Sequence, residues 1–158
     1  MNFEYKNFFY ETNDEDKYHD YICILSKDPL VRKYVPDIKK YTKKVHVKKL
    51  DNNSYFVTDR VYDSVIGYVH IFEREDKDIE FMYAIMGEYR SLGYGKALVK
   101  NVSDFLFLND KELQSISLVI SPYNKPSLYI ASSNGFIKNG MYYVKERRDK
   151  NVCRWGHN

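Results

Sequence analysis

Apolar residues recur along this chain at spacings that switch between alternation and a helical period, and the switches lay out its elements. Phe3, Tyr5 and the Phe8-Phe9-Tyr10 run, interrupted by Lys6 and Asn7, predict a first strand. Thr12 followed three residues later by Glu15 has the spacing of a capping box, and Tyr18, Tyr21, Ile22 and Leu25 then keep helical spacing, so a helix is expected over residues 13–26. Asp28-Pro29 restarts the chain. Val31, Tyr34 and Val35 form one stripe before Pro36, and Ile38, Tyr41 and Val45 resume among paired lysines, predicting a short helix and then a strongly basic one.

Ser54 to Thr58 and Val65 to Phe72, separated by a polar turn, read as a hairpin, and Ile79 to Met86 as a third antiparallel strand. Tyr94, Leu98, Val102, Phe105 and Leu106 then keep a helical period up to Asn109, and Ser115 to Ser121 is a short β-branched run. A helix between two strands lets them lie parallel as neighbours through a crossover. Asn124 is placed as a helix cap, Pro126 suits a first turn, and Gly135-Phe136 suits a helix end. Phe136 to Lys138 and Met141 to Val144 form a closing hairpin around Asn139-Gly140.

Composition narrows the classes. A chain of 158 residues with 44% hydrophobic residues supports one domain over 1–158. The 25 basic and 22 acidic residues nearly balance, so nucleic acid is not expected as a partner. The local cluster Lys39, Lys40, Lys43, Lys44, Lys48 and Lys49 is expected to be a solvated helix face, with a surface for an acidic partner as its alternative. Cys23 and Cys153 lie far apart, without metal-site or disulfide spacing, and no apolar run reaches the length of a membrane span. A reduced, cytoplasmic setting away from membranes is the expectation, and the chain carries no signal for oligomeric state, so a homodimer stays open.

The candidate chemistry begins at Gly87-Glu88-Tyr89-Arg90-Ser91-Leu92-Gly93-Tyr94-Gly95-Lys96, between a predicted strand and a predicted helix. Two glycines two apart, flanked by basic residues, make a turn whose amides open into a helix N-terminus, a cradle for phosphate. Spacing excludes two common phosphate loops. A dinucleotide loop requires a third glycine where Leu98 stands, and a nucleoside-triphosphate loop requires Ser or Thr where Ala97 stands.

The remaining pattern, Arg90-x-x-Gly93-x-Gly95, resembles the acyl-CoA pyrophosphate loop of the GNAT superfamily of N-acetyltransferases. Asn124-Lys125-Pro126-Ser127 continuing to Asn134-Gly135-Phe136 resembles the second motif of that superfamily, in the right order and at the right separation. The resemblance spans roughly residues 54 to 146, and is greatest to the branch containing ribosomal-protein N-terminal acetyltransferases. It implies an α+β, three-layer fold: a mixed, mostly antiparallel sheet with a central, splayed parallel pair and helices on both faces. It implies acetyl-CoA as co-substrate and no metal. Amides around Leu92, Gly93, Tyr94, Gly95 and Lys96, helped by Arg90 and Lys96, would hold the pyrophosphate; backbone near Ile85 and the Asn124 side chain would hold the pantetheine arm.

One departure concerns the catalytic acid. Many members of the superfamily carry a tyrosine four residues before the helix-ending glycine, where Ala131 stands here. Tyr129 is rotated from that position by about 200° along a helix, whereas Asn124, Ser127 and Ala131 share a face. Ser127 is therefore the candidate acid, with a small packing residue as its alternative reading. An amine acceptor, protonated at neutral pH, also needs a base. Glu80 is the candidate, or else a strand-end carboxylate in solvent, and His70 stands behind it. Tyr68 and Tyr83 are expected to be sheet-face aromatics, and Cys23 and Cys153 lack a recognisable base. The expected function is direct acetyl transfer to a small-molecule or peptide amine. The alternative is a non-catalytic CoA-binding or partner-binding module on the same fold.

Overall fold

The computed structural model describes residues 2–12, 14, 16–35, 53–73 and 76–148. The predicted basic helix with its lysines, Glu15 of the capping box and the tail from Asp149 lie outside the described residues.

The chain runs β1 (Phe3–Tyr5), β2 (Phe8–Thr12), α1 (His19–Lys27), α2 (Pro29–Tyr34), β3 (Ser54–Asp59), β4 (Ser64–Glu73), β5 (Asp78–Ile85), a 3₁₀ turn (Gly87–Tyr89), α3 (Tyr94–Asn109), β6 (Ser115–Val119), α4 (Lys125–Ser133), β7 (Ile137–Asn139) and β8 (Tyr142–Glu146). The strands form one sheet in the order β1-β2-β3-β4-β5-β6-β8-β7. β5 and β6 are parallel, and the other described pairs are antiparallel. This is the expected mixed α+β fold, with α3 supplying the crossover between the parallel strands.

Helices cover both faces because β5 is apolar on both. Phe81 and Ile85 join Leu98, Val99 and Val102 of α3 and Ala131 of α4 in one core. Ala84, alternating with them, and Met86 just past the strand pack with Tyr18, Leu25 and Val31 of the α1–α2 side in the other. Each large side chain buried in this way contributes about 1.5–3 kcal/mol.

Three local expectations are corrected. The expected first strand is a hairpin, because Lys6 turns the chain with φ 55° and brings Phe3 back opposite Tyr10, where the rings stack at 4.4 Å. The first helix starts at His19 rather than 13. Thr12 stays in β2 opposite Tyr55, and the Asp14 carboxylate accepts from the amides of Asp16 and Lys17, tightening a polar turn where a capping box was expected. The last hairpin turns at Gly140-Met141, one residue later than predicted: Asn139 pairs with Tyr142, and Gly140 takes φ 63°.

Candidate active site

The site begins where the parallel pair ends. β5 and β6 pair only from Asp78–Ser115 to Glu80–Ser117. The Asp78 carboxylate pins this closed end, accepting from Ser115 Oγ at 2.6 Å and Ser117 Oγ at 3.1 Å. Beyond it, β5 stays with β4 as far as Ile85–Gly67, while β6 stays with β8 as far as Val119–Tyr142. The two strands part as a V. Backbone groups along the parted edges need partners, and an amide-rich ligand arm can supply them.

Two cavities open at this V. The first, about 560 Å³, is lined by Leu30, Val31, Tyr34 and Val35 from the α2 side, Tyr83 to Ile85 from β5, Arg90, Ser91, Gly93, Gly95 and Lys96 from the loop, and Asn124 to Ile130 in part from α4. The second, about 370 Å³, is lined by Phe72, Glu80, Met82, Leu118, Ile120 and Ser121 among others. Tyr34, Val35, Tyr83, Asn124 and Ser127 line both. The two spaces therefore meet at this group.

Gly93 holds φ 88° as the residue before α3, and the next helical bond is from Ala97 N to Gly93 O. The amides of Tyr94, Gly95 and Lys96 in the first turn have no helical acceptor, and the helix dipole adds positive potential there. A Cβ at Gly93 would meet nothing within 4 Å, so the loop is open on that side. Gly95 has a different role. A Cβ there would lie 2.7 Å from Ile130 Cδ1, so this glycine lets α3 and α4 approach closely.

Other loop residues are already engaged. Arg90 forms an ion pair with Asp28, Nη2 to Oδ2 at 2.9 Å, while Asp28 caps α2 by accepting from the amides of Leu30 and Val31. Burial alone would raise the Asp28 carboxyl, but the Arg90 hydrogen bond and charge and the two amides outweigh it and hold the carboxyl below its ordinary value. Tyr94 lines neither cavity with its ring: its hydroxyl donates to Asp59 at 2.6 Å, and that bond, with burial and the carboxylate charge, pushes the phenol up to about 12. Leu92 is 66% exposed and lines neither cavity.

At α4, Asn124 accepts from the Ser127 amide at 3.4 Å and so caps the helix. Tyr34 of α2 donates to the Tyr123 carbonyl at 3.1 Å. α2 is thereby tied at one end to the glycine loop and at the other to the entry of α4. Ser127 Oγ accepts a hydrogen bond from Tyr83 OH at 3.0 Å, and burial raises the Tyr83 phenol. Ala131 is fully buried in the core and lines neither cavity, whereas Tyr129 stands at the rim of the first.

The structure brings Glu80 and Ser127 into one cavity, and Ser127, Asn124, Ile85, Arg90, Gly93, Gly95 and Lys96 into the other. His70 lines neither. It is buried with Nδ1 2.7 Å from Ser54 Oγ, which also lies 2.9 Å from the Tyr68 hydroxyl. Cys23 has His19 one turn away on α1, Sγ to Nε2 3.6 Å, a neighbour that sequence reading overlooked; neither residue lines a cavity. Asp28 and Tyr34 were also overlooked as site residues, and Tyr83, expected to be a sheet-face aromatic, lines both cavities. The Asp28-Pro29 pair signalled only a helix start, and the tyrosines were masked by the 16 in the chain. Among the described residues no cluster of His, Cys, Asp and Glu is placed to hold a metal, and no helix is long and apolar enough to cross a membrane.

Comparison with known proteins fits this geometry. A family model described as an acetyltransferase (GNAT) domain matches residues 9–137. An SPbeta prophage-derived uncharacterized N-acetyltransferase of Bacillus subtilis is 26% identical over 88 residues, 54% of this chain and 49% of that relative; the chain spans about half the length of the curated relative it matches. Among solved structures, an acetyltransferase of the GNAT family from Bacillus anthracis superposes with a TM-score of 0.76 at 15% identity, covering 92% of this chain and 98% of that one. An aminoglycoside acetyltransferase in complex with coenzyme A gives 0.71 at 16% identity, covering 93% and 99%. A ribosomal-protein-S5-alanine acetyltransferase from Vibrio fischeri gives 0.60 at 15%, covering 94% and 98%. These likenesses are of fold.

Proposed function

The chain belongs to the acetyltransferase (GNAT) domain family, and from that premise we propose that it transfers an acetyl group from acetyl-CoA directly to an amine. The observation that carries this reading is the meeting of two cavities at Tyr83, Asn124 and Ser127: one space runs to an anion-binding helix N-terminus, the other to a carboxylate. A donor and an acceptor entering from the two sides would meet there.

The residues present suit the donor. Open space at Gly93, the first-turn amides of α3 and the Lys96 ammonium fit a pyrophosphate, and the parted edge of β5 up to Ile85 fits an amide-bearing arm alongside Asn124. Acetyl-CoA, when bound, supplies the activated acyl group. Arg90 keeps Asp28 as its partner and lends positive potential to the mouth of the first cavity. Glu80 takes a proton from the acceptor ammonium, directly or through water. Ser127 donates to the departing sulfur, since Ala131 leaves no hydroxyl one turn further along α4. Direct transfer needs no covalent enzyme intermediate.

The Asn124-x-x-Ser127 pattern favours the ribosomal-protein branch, so a peptide N-terminus is the first acceptor to try. Aminoglycosides and polyamines come next, because structures with this fold include an aminoglycoside acetyltransferase and a spermidine N-acetyltransferase. The test mixes purified protein, acetyl-CoA and each amine and follows free thiol. Turnover with one acceptor supports the reading. Coenzyme A binding without turnover across the whole panel supports the non-catalytic module, and no binding of coenzyme A rejects both.

A further inference from the structure

Serines inside helices ordinarily turn their hydroxyl hydrogen back onto the carbonyl one turn earlier. Ser103 does so, to Val99 O at 2.7 Å, and Ser133 does so, to Tyr129 O at 2.8 Å. Ser127 does not. Its corresponding acceptor, the carbonyl of Tyr123, already receives the Tyr34 hydroxyl and the Lys125 amide, both at 3.1 Å. Among the described residues Ser127 Oγ has one hydrogen-bond partner, and that partner is a donor: Tyr83 OH at 3.0 Å.

A hydroxyl has one hydrogen and two lone pairs. With one lone pair filled by Tyr83 and the Tyr123 carbonyl, just ahead of the helix cap, already occupied, the Ser127 hydrogen is left for whatever occupies the junction of the two cavities. Tyr83 reaches that serine because it lies on the α3–α4 face of β5, with Phe81 and Ile85, where the sheet has already parted from β6. Burial keeps its phenol protonated, hence a constant donor.

The geometry points to Tyr83 as a positioning residue that aims the Ser127 hydroxyl hydrogen at the thioester sulfur. This rests on the reading of Ser127 as the acid. In the transfer step the amine nitrogen bonds the carbonyl carbon, the carbon–sulfur bond breaks with its electron pair going to sulfur, and sulfur takes the Ser127 proton. Water restores that proton, and the one lost from nitrogen to the base balances it. Tyr83 keeps its own proton throughout.

The experiment titrates the thiol of bound coenzyme A by thiolate absorbance, which requires no acceptor. Tyr83→Phe and Ser127→Ala are each expected to move that titration upward by about half a unit to one unit, with no further shift in the double variant, because Tyr83 acts only through Ser127. Affinity for coenzyme A is expected to stay within about twofold, and Ser127→Thr, which keeps the hydroxyl, to restore the wild-type titration. An unshifted titration in Tyr83→Phe overturns the proposal, as does a shift that adds to that of Ser127→Ala. If the titrations behave as expected while no amine is acetylated, the aimed hydroxyl stands and the catalytic reading fails. Coenzyme A that does not bind at all rejects both.

Discussion

Arg90 Nη2 lies 2.9 Å from Asp28 Oδ2, an ion pair that joins the glycine loop to the first turn of α2. The guanidinium therefore has a carboxylate partner before any phosphate arrives, and α2, held also by Tyr34 at the entry of α4, forms one wall of the cavity that the loop opens. The pair sets the position of the wall from the side of the loop.

Its contribution is pH-dependent. The folded Asp28 carboxyl is held below its unfolded value of 3.8, so its stabilisation is fully present above that value and is lost as pH falls through the lower folded one. Asp28→Asn keeps a capping side chain but loses the charge. Chemical unfolding at pH 7 is expected to show a loss of about 1 kcal/mol, shrinking towards pH 3. An equal difference at both pH values would mean that the charge contributes nothing.

Gly93→Asp is expected to weaken coenzyme A at least about tenfold, because a carboxylate then stands beside the first-turn amides. Gly93→Ala is the control. It carries the strain of φ 88°, roughly 1–2 kcal/mol of stability, and leaves binding near wild type, since a Cβ there meets open space. Calorimetric titration of both variants checks the loop, and equal affinities would reject it.

Gly95→Ala tests packing instead. The added methyl meets Ile130 Cδ1 at 2.7 Å, and α3 and α4 have to separate or Ile130 has to change rotamer. A loss of no more than about 1 kcal/mol is expected in thermal or urea unfolding, because the methyl meets the flexible end of Ile130 and alanine regains helix propensity over glycine. Ile130→Val, which removes that terminal carbon, is expected to return at least half of it in the double variant.

Glu80→Gln is expected to lower kcat by about 10²-fold and to remove the acidic limb of its pH profile, with coenzyme A affinity unchanged. Steady-state rates between pH 5 and 9 decide it. A profile with its limb intact assigns the base to water or to another residue.

Much of this molecule was readable along the chain. Strand and helix order from Ser54 to Glu146 followed from apolar spacing, and the parallel crossover followed from the helix between two strands. The local misreadings came where short-range signals compete. Lys6-Asn7 broke one apolar run into a hairpin, and Asp14 took the turn that Thr12 and Glu15 had suggested. Neither outcome depends on periodicity: the first rests on the positive φ of Lys6, the second on the Asp14 carboxylate reaching the amides of Asp16 and Lys17.

The sequence by itself determined the glycine loop, the capping Asn124 and the absence of a tyrosine at position 131, because turn geometry, helix capping and residue identity are local properties. Only the tertiary structure decided what those residues face. Arg90 meets Asp28 across 62 positions of chain, and Tyr83 meets Ser127 across 44. Such pairs are set by where the sheet parts and how α2 and α4 lie across the gap. Hydrogen bonds require both partners within about 3 Å, and no spacing rule along one strand or helix specifies that distance.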